Sequence, residues 1–367
     1  MAVKTLLLGV GTALPRYRIA QNEAASFMKR VHLEGSVQER SPAQERQLER
    51  RIDYLYRRSG IESRYTCCPE FTDGAAVSAA RMTLVERMQR YEREVVPLAT
   101  SASEAALARS GLAAAQITHL VFVTCTGFVA PGPDQHVARA LGLGRDLRRV
   151  QIGFMGCQAA LHGLQVADAF CRSDPAARVL LVCAELCSLH FRDSVADQDL
   201  VANCLFGDGA AAAILVPDSA GVGAGDHLPL QIRGFESRLL PDSADFLTWR
   251  IDDAAFSMGL DPGTPRVLAK SLPAFVAQWS AALPHDGLHW AVHPGGPAIL
   301  NAVEEALRMS PEALENSRQV LRSFGNMSSP TVLFVLERTL AQMVPGQSGV
   351  ALSFGPGLSI EGMRFSC

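Results

Sequence analysis

The run Thr118–Thr124 (THLVFVT) constrains this chain most, because it is apolar at successive positions. A strand alternates its side chains between two faces, so such a run needs cover on both. Arg178–Cys183 and Ala210–Val216 read the same way, and the opening MAVKTLLLGVGTALP reads as a first buried strand. Longer helical stretches separate these runs. Ser101–Leu112 starts at an N-cap candidate and continues with alanine-rich helical periodicity. Alternation of buried strands with helices predicts an α/β architecture with helices covering the sheets.

A chain of 367 residues, 48% of them hydrophobic, can form two core-bearing halves. Pro217–Asp226 (PDSAGVGAGD) is the strongest internal punctuation, so the expected division is 1–220 and 221–367. The second half is expected to contain a strand at Leu230–Glu236, a helix around Arg266–Leu283 and a strand at Leu288–Val292. Helices at Ala298–Met309 and Pro330–Gln342 should follow. Gly349–Phe354 and Leu358–Phe365 should form a terminal hairpin that closes a sheet, with Gly355-Pro356-Gly357 at its rim.

The formal net charge is −3, far from the basic footprint of a nucleic-acid binder. The Arg46–Arg58 stretch is interleaved with acids and reads as a solvated helix face. No apolar run reaches membrane-spanning length. Nine cysteines lie without CxxC or zinc-like spacing, which fits reduced thiols in a cytoplasmic protein better than a disulfide framework.

One cysteine has a distinctive setting. The strand-like run from Arg149 ends at Gly156, and Cys157 then opens the helix-forming Gln158-Ala-Ala-Leu-His-Gly-Leu. Gly156 permits a sharp turn, and a helix N-terminus favours a thiolate. Buried structural cysteines are common, so the setting alone leaves that reading open. Among nine histidines, His293 ends a strand-like run and precedes Pro294-Gly-Gly-Pro297, a rigid turn suited to a cleft. His289 would share its face of the strand, but a metal pair lacks a third ligand nearby. Asn326, in Ser323-Phe-Gly-Asn-Met-Ser-Ser-Pro, sits in a loop before a helix, where it could donate to an oxyanion or merely cap a turn.

This ordered Cys–His–Asn set resembles that of the type III polyketide synthases, the chalcone and stilbene synthase group. THLVFVTCTG, the cysteine elbow, LFGDGAAAAI, AVHPGGPAIL, SFGNMSSPTVLFVLE and FGPGLSIE carry the resemblance across nearly the whole chain. It implies a thiolase fold of two similar α/β/α/β/α halves and a homodimer. It implies Cys157 as the acyl carrier, His293 and Asn326 as its catalytic partners, and Phe206 as a shield beside the malonyl group. Arg51 and Arg58 match positions that grip coenzyme A phosphates, with Tyr54 in place of a third basic residue. Phe354, Gly355, Pro356 and Gly357 match the loop shaping the cyclisation cavity, although Ser353 replaces a usual glycine.

Departures from the plant pattern surround the cavity. Cys125, Cys187 and His190 stand where small hydroxyl residues are usual, and Ala130 replaces a methionine that reaches into the partner. A second gatekeeper phenylalanine has no clear counterpart in Leu260–Arg266. The stretch Val182–Phe191 resembles bacterial members that make alkylpyrones or alkylresorcinols. The resemblance therefore implies iterative decarboxylative condensation of malonyl-CoA onto an acyl-CoA starter, through an imidazolium–thiolate pair, with a fatty starter and no metal or redox cofactor. Rival readings are a chalcone- or stilbene-type enzyme using aromatic or short starters, a ketoacyl synthase III-like enzyme, a papain-type cysteine hydrolase, and a silent CoA-binding protein on the same fold.

Overall fold

The computed structural model describes residues 3–34, 40–72, 82–221, 229–280 and 287–367. Its strands are β1 (Thr5–Ala13), β2 (Tyr17–Ala20), β3 (Ser63–Thr66), β4 (His119–Thr124), β5 (Arg148–Gly153), β6 (Val179–Leu186), β7 (Asp208–Pro217), β8 (Leu230–Leu239), β9 (Leu247–Ile251), β10 (Phe256–Leu260), β11 (His289–Val292), β12 (Ser348–Gly355) and β13 (Ser359–Ser366). The helices are α1 (Gln21–Glu34), α2 (Pro42–Arg58), α3 (Leu84–Ser110), α4 (Pro133–Ala140), α5 (Ala159–Ser173), α6 (Asp197–Leu205), α7 (Thr264–Ser280), α8 (Pro297–Leu307), α9 (Glu315–Phe324) and α10 (Thr331–Leu340).

Among the described residues, nine strands form one mixed sheet in the order β11-β12-β13-β8-β1-β7-β6-β4-β5. Strict alternation splits the sheet between two apolar layers. Val121, Val123, Leu181, Cys183, Ala211 and Ala213 join one cluster with α5 and α10 residues such as Leu161, Leu164, Leu333 and Val335. Leu120, Phe122, Leu180, Val182, Ala210 and Ala212 join the other, with Tyr91, Val95 and Ala102 of α3. The apolar runs of the sequence are thus strands buried on both faces.

Three expectations are corrected. The terminal hairpin does not close the sheet: β12 is flanked by β11, so β11 and β5 are the edges. The helix expected at Ser101–Leu112 starts instead at Leu84, where Thr83 and Glu86 form a capping box. Pro97 lies inside it, and an interior proline normally signals a break. The strand at Leu230 runs further than expected, to Leu239. Residues 222–226 of the punctuating segment and 281–283 of the expected helix lie outside the described residues. On either side of that punctuation, β1 and β8 pair from Thr5↔Ile232 to Leu7↔Leu230, so strands of both parts share the sheet. No helix among the described residues is long and apolar enough to cross a membrane.

Candidate active site

Cys157 lies in a short 3-10 turn, Gly156–Gln158, between β5 and α5. Gly156 has φ +70°, and a Cβ there would meet the Pro356 ring at 2.5 Å. Both the turn and the close approach of the β12–β13 loop therefore need glycine. From the other side, Ser353 Oγ of β12 donates to the Cys157 carbonyl at 3.0 Å. The sulfur sits at the start of the 15-residue α5, whose dipole favours negative charge.

Asn326 is held by a chain of backbone bonds. Its N–H donates to Leu205 O at 2.9 Å, and its carbonyl accepts from Gly207 N–H at 2.9 Å, clasping Phe206 between them. Its side-chain Oδ1 accepts the Ser328 N–H at 2.8 Å, so Nδ2 carries the free donors. Nδ2 reaches Gly295 O at 3.2 Å and lies 4.0 Å from the Cys157 sulfur. Gly325, at φ +69° and with Leu205 O only 2.8 Å from where a Cβ would stand, lets the loop pass this closely. Ser328 carries the cost of that path, with φ +60° in a non-glycine residue.

His293 follows the last residue of β11, and its N–H donates to Leu352 O at 2.8 Å, one residue before Ser353. Its carbonyl accepts from Gly295 N–H, and the Gly295 carbonyl in turn holds Asn326. These bonds bring the ends of β11, α5 and the pre-α10 loop together. The imidazole is 1% exposed, and neither ring nitrogen has a hydrogen-bond partner among the described residues. Burial pushes His293 down to about 3. Burial pushes the Cys157 thiol up to about 11, opposed by hydrogen bonding from Ser328 and reinforced by the Glu185 charge. Burial taken alone thus biases each group toward its neutral form.

A cavity of roughly 1070 Å³ of empty space, its open mouth included, begins at Cys157. Of the residues singled out in the sequence, Cys125, Cys187, His190, Phe206 and Pro356 line it. Phe354, Gly355, Gly357, His293 and Asn326 are not among its lining residues. Phe354 belongs to the apolar core, Gly355 packs against Gln158, and Gly357 lies near Leu239. Arg51 and Arg58 sit on α2 outside the lining; Arg51 pairs with Asp197, and Arg58 is exposed.

Several wall residues escaped the sequence reading. Trp249 of β9 and Phe256 and Met258 of β10 line the cavity, and none of Leu260–Arg266 does. Arg266 instead projects from the exposed side of α7. The signal was the i, i+2 spacing of Phe256 and Met258. His190 stacks on Phe256 with ring centroids 4.1 Å apart. Its Nδ1 accepts the Phe256 N–H at 3.1 Å, so Nε2 carries the proton and donates to Thr126 O at 2.7 Å. Burial lowers His190 to about 3, which keeps it neutral. Trp249 Nε1 donates to Cys125 O at 2.7 Å. The lining also includes the apolar side chains of Ile19, Ala24, Phe27, Phe71 and Phe191.

Glu185 was also missed, although a lone acid in the apolar run Val179–Leu186 is a signal. It accepts from Cys125 N–H, Thr126 Oγ1 and Ser329 Oγ at 2.7–2.8 Å. Burial raises it to about 7. Arg64, buried in the cavity wall, donates to the carbonyls of Asn203 at 2.7 Å and Phe206 at 2.5 Å, so it anchors the segment carrying Phe206.

Comparison with known proteins agrees with this geometry. Residues 2–219 match the family model "Chalcone and stilbene synthases, N-terminal domain", and residues 231–366 match its C-terminal counterpart. "Type III polyketide synthase 10" of Oryza sativa subsp. japonica is 32% identical over 98% of this chain and 91% of its own length. "Alpha-pyrone synthesis polyketide synthase-like Pks18" of Mycobacterium tuberculosis (strain ATCC 25618 / H37Rv) is 33% identical over 97% of this chain and 90% of its own. The solved structure of PKS-I from the brown alga Ectocarpus siliculosus superposes with a TM-score of 0.90 at 31% identity, covering 100% of this chain and 99% of that one. A fungal type III polyketide synthase, ORAS, superposes with a TM-score of 0.86 at 29% identity, covering 99% of each chain. The thiolase fold expected from the motifs is the fold observed. Matched over nearly its whole length by both halves of one family, the chain belongs to the chalcone and stilbene synthases and is a type III polyketide synthase, an acyltransferase-type condensing enzyme.

Proposed function

We propose that Cys157, His293 and Asn326 run an iterative decarboxylative condensation of malonyl-CoA onto a fatty acyl-CoA starter, ending in a pyrone or resorcinol-type product. The observation that carries the assignment is the Asn326 amide, whose Oδ1 is occupied and whose Nδ2 points at the Cys157 sulfur. In the first step, a His293 ring nitrogen takes the thiol proton as sulfur attacks the starter carbonyl. Coenzyme A leaves with that proton. Starting from a neutral pair, proton transfer accompanies attack and does not precede it. The malonyl thioester oxygen then accepts from Asn326 and His293, carbon dioxide departs, and the enolate charge rests on those donors. Phe206 offers the departing carboxylate an apolar wall. The enolate carbon attacks the Cys157 thioester, which releases the sulfur and lengthens the chain. The cycle consumes only coenzyme A thioesters and calls for no resident cofactor.

The starter assignment rests on the apolar arm at Ile19, Ala24, Phe27, Phe71 and Phe191. Each methylene buried there contributes about 0.8 kcal/mol, so long chains gain most. The similarity to a relative named for α-pyrone synthesis points the same way. Arg51 and Arg58, on the α2 face, are assigned to the coenzyme A phosphates. The test is kcat/KM across acetyl-, hexanoyl-, lauroyl-, palmitoyl- and coumaroyl-CoA. A maximum at lauroyl or palmitoyl is expected. A maximum at acetyl or coumaroyl, with nothing turned over beyond hexanoyl, would overturn it and favour a chalcone- or stilbene-type enzyme.

A homodimer fits the edge strand β5, which is largely exposed and flanked by exposed Phe128, Phe154 and Met155. An open edge beside exposed apolar side chains invites pairing with a second copy. Light scattering at micromolar concentration should give twice the chain mass; a monomer would exclude it. With nine free thiols, the enzyme is assigned to the reducing cytoplasm.

A further inference from the structure

Behind the cavity wall lies a second thiol site that the condensation does not use. Cys67 and Cys68 follow β3, with sulfurs 3.9 Å apart. Both are buried, at 5% and 0% exposure. Ser188 Oγ lies 3.9 Å from each sulfur, and Ser188 and Thr66 both line the cavity. Cys68 N–H donates to Thr66 Oγ1 at 2.9 Å, and Thr66 Oγ1 donates to Ser188 Oγ at 2.8 Å. Cys67 N–H and Ser188 N–H both donate to the Asp208 carboxylate, at 2.8 and 2.7 Å. The dithiol is therefore one side chain removed from the cavity.

We propose that Cys67 and Cys68 form a reversible oxidative modification site, in which a hydroperoxide converts the vicinal dithiol to a disulfide. Two features distinguish this pair from an ordinary buried thiol. The first is a resolving partner already adjacent. The second is a nearby cation, Arg90, which holds Glu70 through two bonds of 2.8 and 2.7 Å. The Cys67 thiol and Arg90 draw the Cys68 thiol below its ordinary value against the pull of burial, while Cys67 is held well above its own. A thiol drawn toward its thiolate beside one held protonated is the arrangement that oxidation needs.

The chemistry balances. The Cys68 thiolate attacks the terminal peroxide oxygen; an S–O bond forms, the O–O bond breaks, and an alcohol or water leaves after taking up a proton. Cys67 sulfur then attacks the sulfenic acid; an S–S bond forms, the S–O bond breaks, and water leaves with the Cys67 proton. Two electrons pass from the dithiol to the peroxide. Neighbouring Cα atoms stand about 3.8 Å apart, less than most disulfides span, so the product is strained and easily reduced again. Bond formation also turns the Cys67–Cys68 backbone that binds Asp208 and Thr66, so the modification reaches the cavity wall.

The full-length enzyme should be treated with hydrogen peroxide, quenched, denatured, alkylated with iodoacetamide and digested with trypsin. Peptide 65–81 contains Cys67 and Cys68 and no other cysteine. The expected product is this peptide unalkylated and lighter by two hydrogens, returning to a doubly alkylated form after dithiothreitol. Cys68→Ser should lose the product, and Cys67→Ser should leave a sulfenic acid at Cys68 that dimedone captures. The wild-type map decides the matter even if a variant does not fold. Two alkylated thiols at a peroxide dose that fully oxidises Cys157 would overturn the proposal, as would a disulfide from Cys68 to another cysteine.

Discussion

The two ends of the cavity are built differently. At the chemical end, Asn326 and His293 sit at element ends whose backbones are tied to Leu205 and Leu352, and the Cys157 carbonyl accepts from the Ser353 side chain. At the shape end, Trp249 and Phe256 come from β9 and β10, a two-stranded sheet apart from the central one. Beyond the β9–β10 backbone pairing, side-chain bonds hold them to the rest of the cavity, Trp249 to Cys125 O and His190 to Phe256 N–H and Thr126 O. Backbone bonds survive substitution of side chains, and side-chain bonds do not. The chemical end can therefore stay constant while the other end is reshaped residue by residue.

If that division holds, substitutions at the chemical end should lose rate and leave starter choice alone. The largest effect is expected for Cys157→Ala: no product from any starter, with an unchanged thermal transition, checked by product mass and calorimetry. Full product from folded Cys157→Ala would refute the acyl-carrier role. Asn326→Ala should cost about 100-fold or more in malonyl-CoA decarboxylation, the usual cost of one oxyanion donor. Starter loading, read as acylated protein by mass spectrometry, should be largely retained. Normal decarboxylation by Asn326→Ala would remove it from the oxyanion role.

A pH experiment addresses the resting state of the pair. Burial holds His293 near 3 and lifts Cys157 to about 11. If burial decides the resting state, the neutral pair prevails between those values and the thiolate fraction grows as pH rises toward 11. Iodoacetamide labelling of Cys157 should therefore climb about tenfold per pH unit from 6 to 9, with no plateau. An imidazolium–thiolate pair would instead label at a constant rate across that range. A plateau would mean that the attraction between the two charges outweighs their burial.

The same division explains what the sequence disclosed. The cysteine elbow, the His293 turn and the Asn326 loop are legible because each is a local pattern: a glycine, a strand end or a pre-helical loop fixes the residue beside it. The shape wall is not local. Trp249 reaches the cavity only because β9 and β10 fold over residues more than fifty positions earlier, such as His190. Phe354, Gly355 and Gly357 failed for the converse reason. Their motif is local, but Phe354 is taken into the apolar core and Gly355 packs against Gln158, which leaves Pro356 as the loop's lining residue. Pro97 hid the first half of α3, since tertiary packing of Tyr91 and Val95 outweighs one interior proline.

The smallest effects, and the sharpest on the comparison, should come from paired changes at opposite walls. Ala24→Leu adds methylenes to the apolar arm, where Ala24 is 3% exposed beside Phe27 and Phe71. Such overpacking costs about 1–3 kcal/mol, which is compatible with folding. It should lower kcat/KM for palmitoyl-CoA against hexanoyl-CoA by roughly 10-fold, since pockets discriminate by about 1–3 kcal/mol per displaced methylene. Trp249→Ala acts on the other wall. It removes the indole and its bond to Cys125 O, and so gives room near Cys157 for a bulkier starter or an extra extension. Relative use of coumaroyl-CoA, or the share of longer products, should rise by a similar factor while palmitoyl-CoA holds its rate. Trp249→Phe keeps the wall but loses the bond, so it should shift selectivity less than Trp249→Ala. If both alanine and phenylalanine leave the starter ratio and product masses unchanged, the aromatic wall does not set the cavity's limits. If Ala24→Leu and Trp249→Ala shift selectivity in the same direction, the two arms are one space and the division between them fails.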